Sequence, residues 1–283
     1  MTPKEYLDRY TSLDVPDPNT GFTTTVNITG YGSGWGPEEG CNRTDVGPVC
    51  NQEYNTRFVP ALRVAHHGRN TPIGSTQFYF NQNSVGDFQP TEDFYVSSFV
   101  NAFVGKGSPD EITDTLRVAL AVGRVGAGPD AAGGRHNAFS LQQYVDTYIT
   151  LDCNGLVGNY YGIDPNTAVK SYANVGRRRL RARDVQVGDA VVTIPTLSKK
   201  FEHVALIEYW QCIGDTDDTG TALIKIVEWG EAGDETVHYT GDNPRQLPIT
   251  FGPDRTYGVG FSTEEGKFRY IFAPPQLGDP RGW

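Results

Sequence analysis

The chain has 283 residues, of which 37% are hydrophobic and 20% charged, the balance of a globular protein rather than a disordered one. A formal net charge of -10 argues against general nucleic-acid binding, and no apolar run approaches the ~20 residues that a membrane helix requires. Its 33 glycines, 18 prolines, 15 tyrosines and 14 phenylalanines predict many turns and favour sheet over helix. Met1 to Tyr6 carries neither a positive n-region nor an apolar h-region, so no secretory signal is expected there. Strands are predicted at Phe22–Thr29, Phe58–Ala65, Gln77–Phe80 and Phe94–Val100, with Pro60 marking an edge or a bulge. Gly30 to Gly40, around Trp35, reads as a glycine-rich loop. Cys41 and Cys50 bracket a short loop whose length suits a local disulfide in an oxidising compartment and is too wide for a zinc knuckle. His66 and His67 are adjacent, and on a strand they would face opposite ways, so no metal site is expected. Residues 1–107 are therefore expected to form a β-rich module or extension, a scaffold through which protein partners would attach.

Residues 108–283 read as a second domain. Asp110 to Ala121 has apolar positions at helical spacing, acids in the first turn, Pro109 at a favoured first position and Ser108 or Asp110 as a cap. Gly123 to Gly134 lacks the βαβ context of a dinucleotide loop and reads as a connection. A helical segment follows at Phe139–Tyr148. Next comes Asp152-Cys153-Asn154-Gly155-Leu156-Val157, with Asp152 suited to a helix start and Cys153 opening the helix. The run Arg177-Arg178-Arg179-Leu180-Arg181-Ala182-Arg183 either contacts an anionic partner or is a solvated segment that balances nearby acids. Asp184 to Val192 is a turn feeding an apolar strand, His203 to Tyr209 a second strand and Ala222 to Trp229 a third. Further strands are expected at Glu235–Tyr239, Tyr257–Phe261 and Phe268–Phe272. Cys212, near the end of the histidine strand, is expected to pack rather than react.

A cysteine at a helix start and a histidine at a strand start are a way to make a nucleophile. The thiolate attacks, and both a helix N-terminus and an imidazole favour it over the thiol. Three segments in order carry a resemblance: Asp152-Cys153-Asn154-Gly155-Leu156-Val157, Val187-Gly188-Asp189-Ala190-Val191 and His203-Val204-Ala205-Leu206. Together they resemble the NlpC/P60 family of papain-like cysteine peptidases, over roughly Ser108 to Gly230. Two departures are visible: no Tyr-x-Trp-Gly-Gly precedes the cysteine, and Asn154 replaces the usual serine. The resemblance implies an α+β fold, a papain-like core in which a Cys-bearing helix packs on an antiparallel β-sheet. It implies Cys153 as nucleophile, His203 as base, and a third, orienting residue on the next strand, which here is Glu228. Glu208 lies on the same strand as His203 at odd separation and is the weaker choice; His238 is the second. Asp152 and Asn154 fall at substrate-binding positions, with Asp152 matching a residue that recognises a substrate amino group.

The expected function is that of a cysteine hydrolase cleaving an amide bond in the peptide stem of bacterial cell wall, a peptidoglycan endopeptidase or amidase, with no cofactor and no metal. Such a substrate implies an extracytoplasmic or virion-associated place of action, as in a phage or secreted-particle lytic component. Two rival readings are a catalytically inactive papain-like module of a phage tail or similar particle, and an acyltransferase that uses the same Cys-His dyad.

Overall fold

The computed structural model describes residues 1–17, 20–32, 52–58, 60–61, 98–121, 123–125, 140–194, 201–213, 220–232, 235–237, 245–251, 257–262 and 267–275. The chain divides into two units, one formed by Arg9–Leu151 and the other by Met1–Asp8 together with Asp152–Trp283. The division therefore falls just before the cysteine helix rather than at residue 108.

In the unit Arg9–Leu151, β1 (Leu13–Pro16) and β2 (Thr23–Val26) pair antiparallel, and β3 (Gly30–Tyr31) pairs in parallel with β4 (Thr150–Leu151). The helix Pro109–Ala121 begins with a reciprocal cap: the Glu111 N–H donates to Ser108 Oγ at 3.2 Å, and the Ser108 N–H donates to the Glu111 carboxylate at 2.8 Å. Its buried residues Ile112, Leu116 and Ala119 recur at helical spacing. The helix Leu141–Tyr148 is opened by the same device, built from Ser140 and Gln143.

Two strand expectations in this unit are corrected. Ser98–Phe103 is a helix, not the end of a strand, and it buries Phe99, Ala102 and Phe103 at the i, i+3, i+4 spacing of one helical face. Glu53–Phe58 is a π-helix and residues 60–61 are helical, so no strand starts at Phe58. The cause is tertiary. Phe58 packs against Phe99 and Phe103, with ring centroids 5.9 and 5.1 Å away, while buried Glu53 receives two hydrogen bonds from Arg124 and one from Tyr144. These contacts outweigh the strand preference of aromatic residues. Within residues 1–107 the described part thus mixes helix and strand and is not β-rich. The expectations for Gln77–Phe80, Cys41, Cys50, His66 and His67 lie outside the described residues.

The other unit is built on β5 (Ala190–Ile194), β6 (His203–Ile213), β7 (Gly220–Val227), β8 (Gly230–Ala232), β9 (Glu235–Val237), β10 (Arg245–Phe251), β11 (Val259–Ser262) and β12 (Phe268–Phe272). Six of these close into a barrel in the order β10-β11-β12-β5-β6-β7, every neighbour antiparallel, while β8 and β9 form a separate hairpin. Alternation along the strands sorts their side chains. Val191, Ala205, Ile224, Ile226, Phe261 and Ile271 fill the barrel. Val192, Val204, Leu206, Tyr270 and Phe272 face outward and pack with Cys153 and Val157 of the helix Cys153–Tyr161. This mixture of helix and antiparallel sheet is compatible with the α+β class expected. Among the described residues, no helix is long and apolar enough to cross a membrane.

One residue resets the alternation. The pairing of β6 with β7 shifts between Ile207 and Tyr209, so Glu208 is a bulge. Beyond it, Trp210 and Cys212 turn toward the barrel core, which accounts for Cys212 as a packing residue. The Glu208 carboxylate accepts the Lys4 N–H at 2.9 Å and so holds the helix Pro3–Asp8.

Candidate active site

Each element of the site is placed by local chemistry. Asp152 has an extended backbone and caps the cysteine helix, its Oδ1 accepting the Gly155 N–H at 2.6 Å. Gly162, at φ 67°, ends the helix in the left-handed conformation. The cap fixes Cys153 at the first helical position, at the positive end of the helix dipole. The turn before β5 is fixed by Gly188, at φ 85°, and by Asp189, whose buried carboxylate takes two hydrogen bonds from Arg179 at 2.6 and 2.7 Å and one from the Gln186 N–H. Arg177 and Arg178 donate to the Ser171 and Val175 carbonyls. Three guanidinium groups of the basic run therefore serve this fold, while Arg181 and Arg183 remain exposed.

His203 opens β6. Read outward from the barrel core by twos, the inward positions past Val191, Ala205, Ile226 and Ile271 are Thr193, His203, Glu228 and Arg269. One end of the barrel is thus rimmed by a polar layer. Thr193 is the register partner of both His203 and Arg269. His203 Nε2 lies 3.1 Å from Glu228 Oε2, and Arg269 Nη2 donates to that same oxygen at 3.0 Å. The Cys153 thiol, from the outer face, is a neighbour of the imidazole and favours its charged form. With Nε2 directed at Glu228, the remaining ring nitrogen, Nδ1, is the one available to the sulfur.

The electrostatics follow from these contacts. Burial alone would push the imidazole down; Cys153 and the Glu228 carboxylate outweigh it and raise His203 from 6.5 to about 9. Burial would push the Glu228 carboxyl up; Arg269 and His203 outweigh it and hold Glu228 at about 2. An imidazolium beside a sulfur, with a permanently ionised carboxylate behind it, is the charge distribution that a thiolate nucleophile requires.

The predicted residues Cys153, His203 and Glu228 come together. Asp152 is buried, 2% exposed, and Oδ1 is committed to the helix cap. Asn154 is half-buried beside Cys153, and its Oδ1 is shielded without a hydrogen-bond partner. His238 lies outside the described residues, and Glu208 is occupied by the N-terminal helix. Sequence reasoning missed Arg269. Its signal was a single cation at an inward position of the otherwise apolar Phe268-Arg269-Tyr270-Ile271-Phe272. It also missed Gly230, where a Cβ would come 3.0 Å from His203 Cε1 and press on the ring. Among the described residues no group of three or more His, Cys, Asp or Glu is placed to hold a metal ion. No protein-family model matches the chain, and no curated protein or solved structure matches it significantly.

Proposed function

We propose that the chain is a cysteine hydrolase that cleaves amide bonds by acyl transfer. The observation that carries this reading is the array Cys153–His203–Glu228, with the sulfur at a helix start and the imidazole between thiol and carboxylate. His203 takes the thiol proton and Cys153 attacks the carbonyl carbon. The first-turn amides of the cysteine helix stabilise the oxyanion. The C–N bond then breaks as His203 gives its proton to the leaving amine. Water, deprotonated by His203, attacks the thioester and releases the acid and the free thiol.

The resemblance to NlpC/P60 peptidases in the segments around Cys153, Asp189 and His203 supports a papain-like core and makes the peptide stem of bacterial cell wall the substrate class. An extracytoplasmic or virion-associated setting follows from that substrate. Purified peptidoglycan incubated with the protein should yield new free amino groups and shortened stem peptides, and Cys153→Ala should yield none. If Cys153 is alkylated at an enhanced rate but cell wall is untouched, the substrate assignment fails and an acyltransferase replaces it. If Cys153 alkylates no faster than an ordinary buried thiol, the inactive-module reading replaces both.

A further inference from the structure

We propose that Arg269 is the positioning residue of this site, fixing the Glu228 carboxylate and, through it, the orientation and protonation of His203. The inference rests on the cysteine-hydrolase reading above and adds a fourth member to it. Arg269 and His203 meet Glu228 at one oxygen, with contacts of 3.0 and 3.1 Å. An oxygen shared in this way is not free to follow the imidazole if the ring tilts, because the guanidinium holds it as well. Glu228 stands just beyond the end of β7, where no barrel pairing fixes its backbone. Arg269, by contrast, is within β12, paired to both β5 and β11. The rigid strand β12 therefore anchors the carboxylate that the end of β7 alone would leave loose. Thr193, between His203 and Arg269 in the register, is short enough to leave room at the rim. Its Oγ1 and Arg269 Nε are both shielded without a hydrogen-bond partner. The guanidinium is thus turned to Glu228 at the expense of a bond it could have made elsewhere.

The titratable groups facing His203 are Cys153 from the helix and Glu228 from beyond β7, with Arg269 of β12 bound to Glu228. Glu202 and Lys267, on the solvent side, pair with each other at 3.7 Å. Arg269 divides the Glu228 charge with the imidazole. Its removal should therefore leave that charge wholly to His203 and make the imidazolium harder to deprotonate.

The test is an NMR titration of the His203 ring in the full chain, assigned among the five histidines with His203→Gln. Arg269→Gln should move the His203 midpoint up by about one pH unit, and Glu228→Gln should move it down by a similar amount. Arg269→Lys retains a cation without the planar fork, and should shift the midpoint up by roughly half as much. It carries the test if the Gln variant does not fold. The proposal is overturned if every folded Arg269 variant leaves the midpoint within about 0.2 unit of wild type, the result a merely structural arginine would give. Carbamidomethylation of Cys153 in the same samples separates the two readings. If the His203 midpoint responds to Arg269 but Cys153 reactivity ignores it, the coupling stands and the hydrolase reading falls. If Cys153 reactivity tracks His203 and neither responds to Arg269, the hydrolase reading stands and this proposal falls.

Discussion

Replacing Gly230 by alanine is a one-methyl test of the imidazole's position. The new Cβ would lie 3.0 Å from His203 Cε1 and 3.7 Å from each ring nitrogen. Carbon atoms at rest pack at about 3.5–4.0 Å, so the ring must retreat by ~0.5 Å. The approach is equidistant from the two nitrogens, so turning the ring relieves one only by crowding the other. Retreat along that line also draws Nε2 back from Glu228 and lengthens their 3.1 Å contact. Misplacing a reacting group by 1 Å costs about 10²-fold, so half that displacement predicts about a tenfold loss, or ~1.4 kcal/mol in the barrel-rim geometry. The backbone of Gly230 is not in the left-handed region, so alanine adds no strain of its own. The assay is the rate of Cys153 alkylation by iodoacetamide at neutral pH, followed by mass spectrometry, with half-buried Cys212 as internal reference and the thermal midpoint measured in parallel. Alkylation of Cys153 within twofold of wild type, at an unchanged thermal midpoint, would refute the close approach of Gly230 to the His203 imidazole. Equal slowing at Cys153 and Cys212 would mean a global change and refute it equally.

Cys153→Ala should abolish hydrolysis with the fold intact by circular dichroism, whereas Cys212→Ala, remote from the rim, should keep turnover within a few-fold. Asp152→Asn keeps a good helix cap while removing the charge, so the thermal midpoint should hold; Asp152→Ala should cost about 1 kcal/mol in chemical denaturation. A loss of activity in the Asn variant alone would assign Asp152 a substrate contact besides its cap. Asp189→Ala leaves Arg179 without its buried partner and should cost about 3–5 kcal/mol by urea unfolding. The pH dependence of stability follows from the two shifted groups. His203 is raised from 6.5 to about 9, so its contribution is complete below pH 6.5 and lost as pH rises through 9. Glu228 is lowered from 4.5 to about 2, so its contribution is complete above pH 4.5 and lost as pH falls through 2. The stability gap between wild type and Glu228→Gln should accordingly be widest between pH 4.5 and 6.5, as read by denaturation at stepped pH.

Much of the site was legible because its chemistry is local. A capping aspartate, a cysteine at the first helical position and a histidine at the head of an apolar strand each leave a short sequence trace. Glu228 was found because the resemblance places an orienting residue on the strand after His203, and Ile226-Val227-Glu228-Trp229 supplies a carboxylate there. Arg269 was not, because its role depends on barrel closure, which sets β12 beside β5, and pairing partners so far apart leave no spacing to read. Strand β10 was missed as well, since Pro248 argues against a paired interior strand. The helices at Glu53–Phe58 and Ser98–Phe103 were misread because aromatic residues favour strands in isolation, and only their mutual packing makes them helical. The bulge at Glu208 carries no local mark, yet without it Trp210 and Cys212 would face the wrong way.

The docking of Pro3–Asp8 on the barrel has a consequence for biosynthesis. Its six residues are too few to hold a helix in water alone. Their anchors, Glu208 and the Tyr160 ring that meets Tyr6 edge-on at 5.7 Å, are encoded far downstream, the Lys4–Glu208 contact spanning 204 positions. Pro3–Asp8 is thus made well before its anchors and settles only after the whole of Arg9–Leu151 has been made. Until then Tyr6 and Leu7, both buried in the finished fold, stay exposed on the nascent chain and open to chaperones or to another copy's barrel.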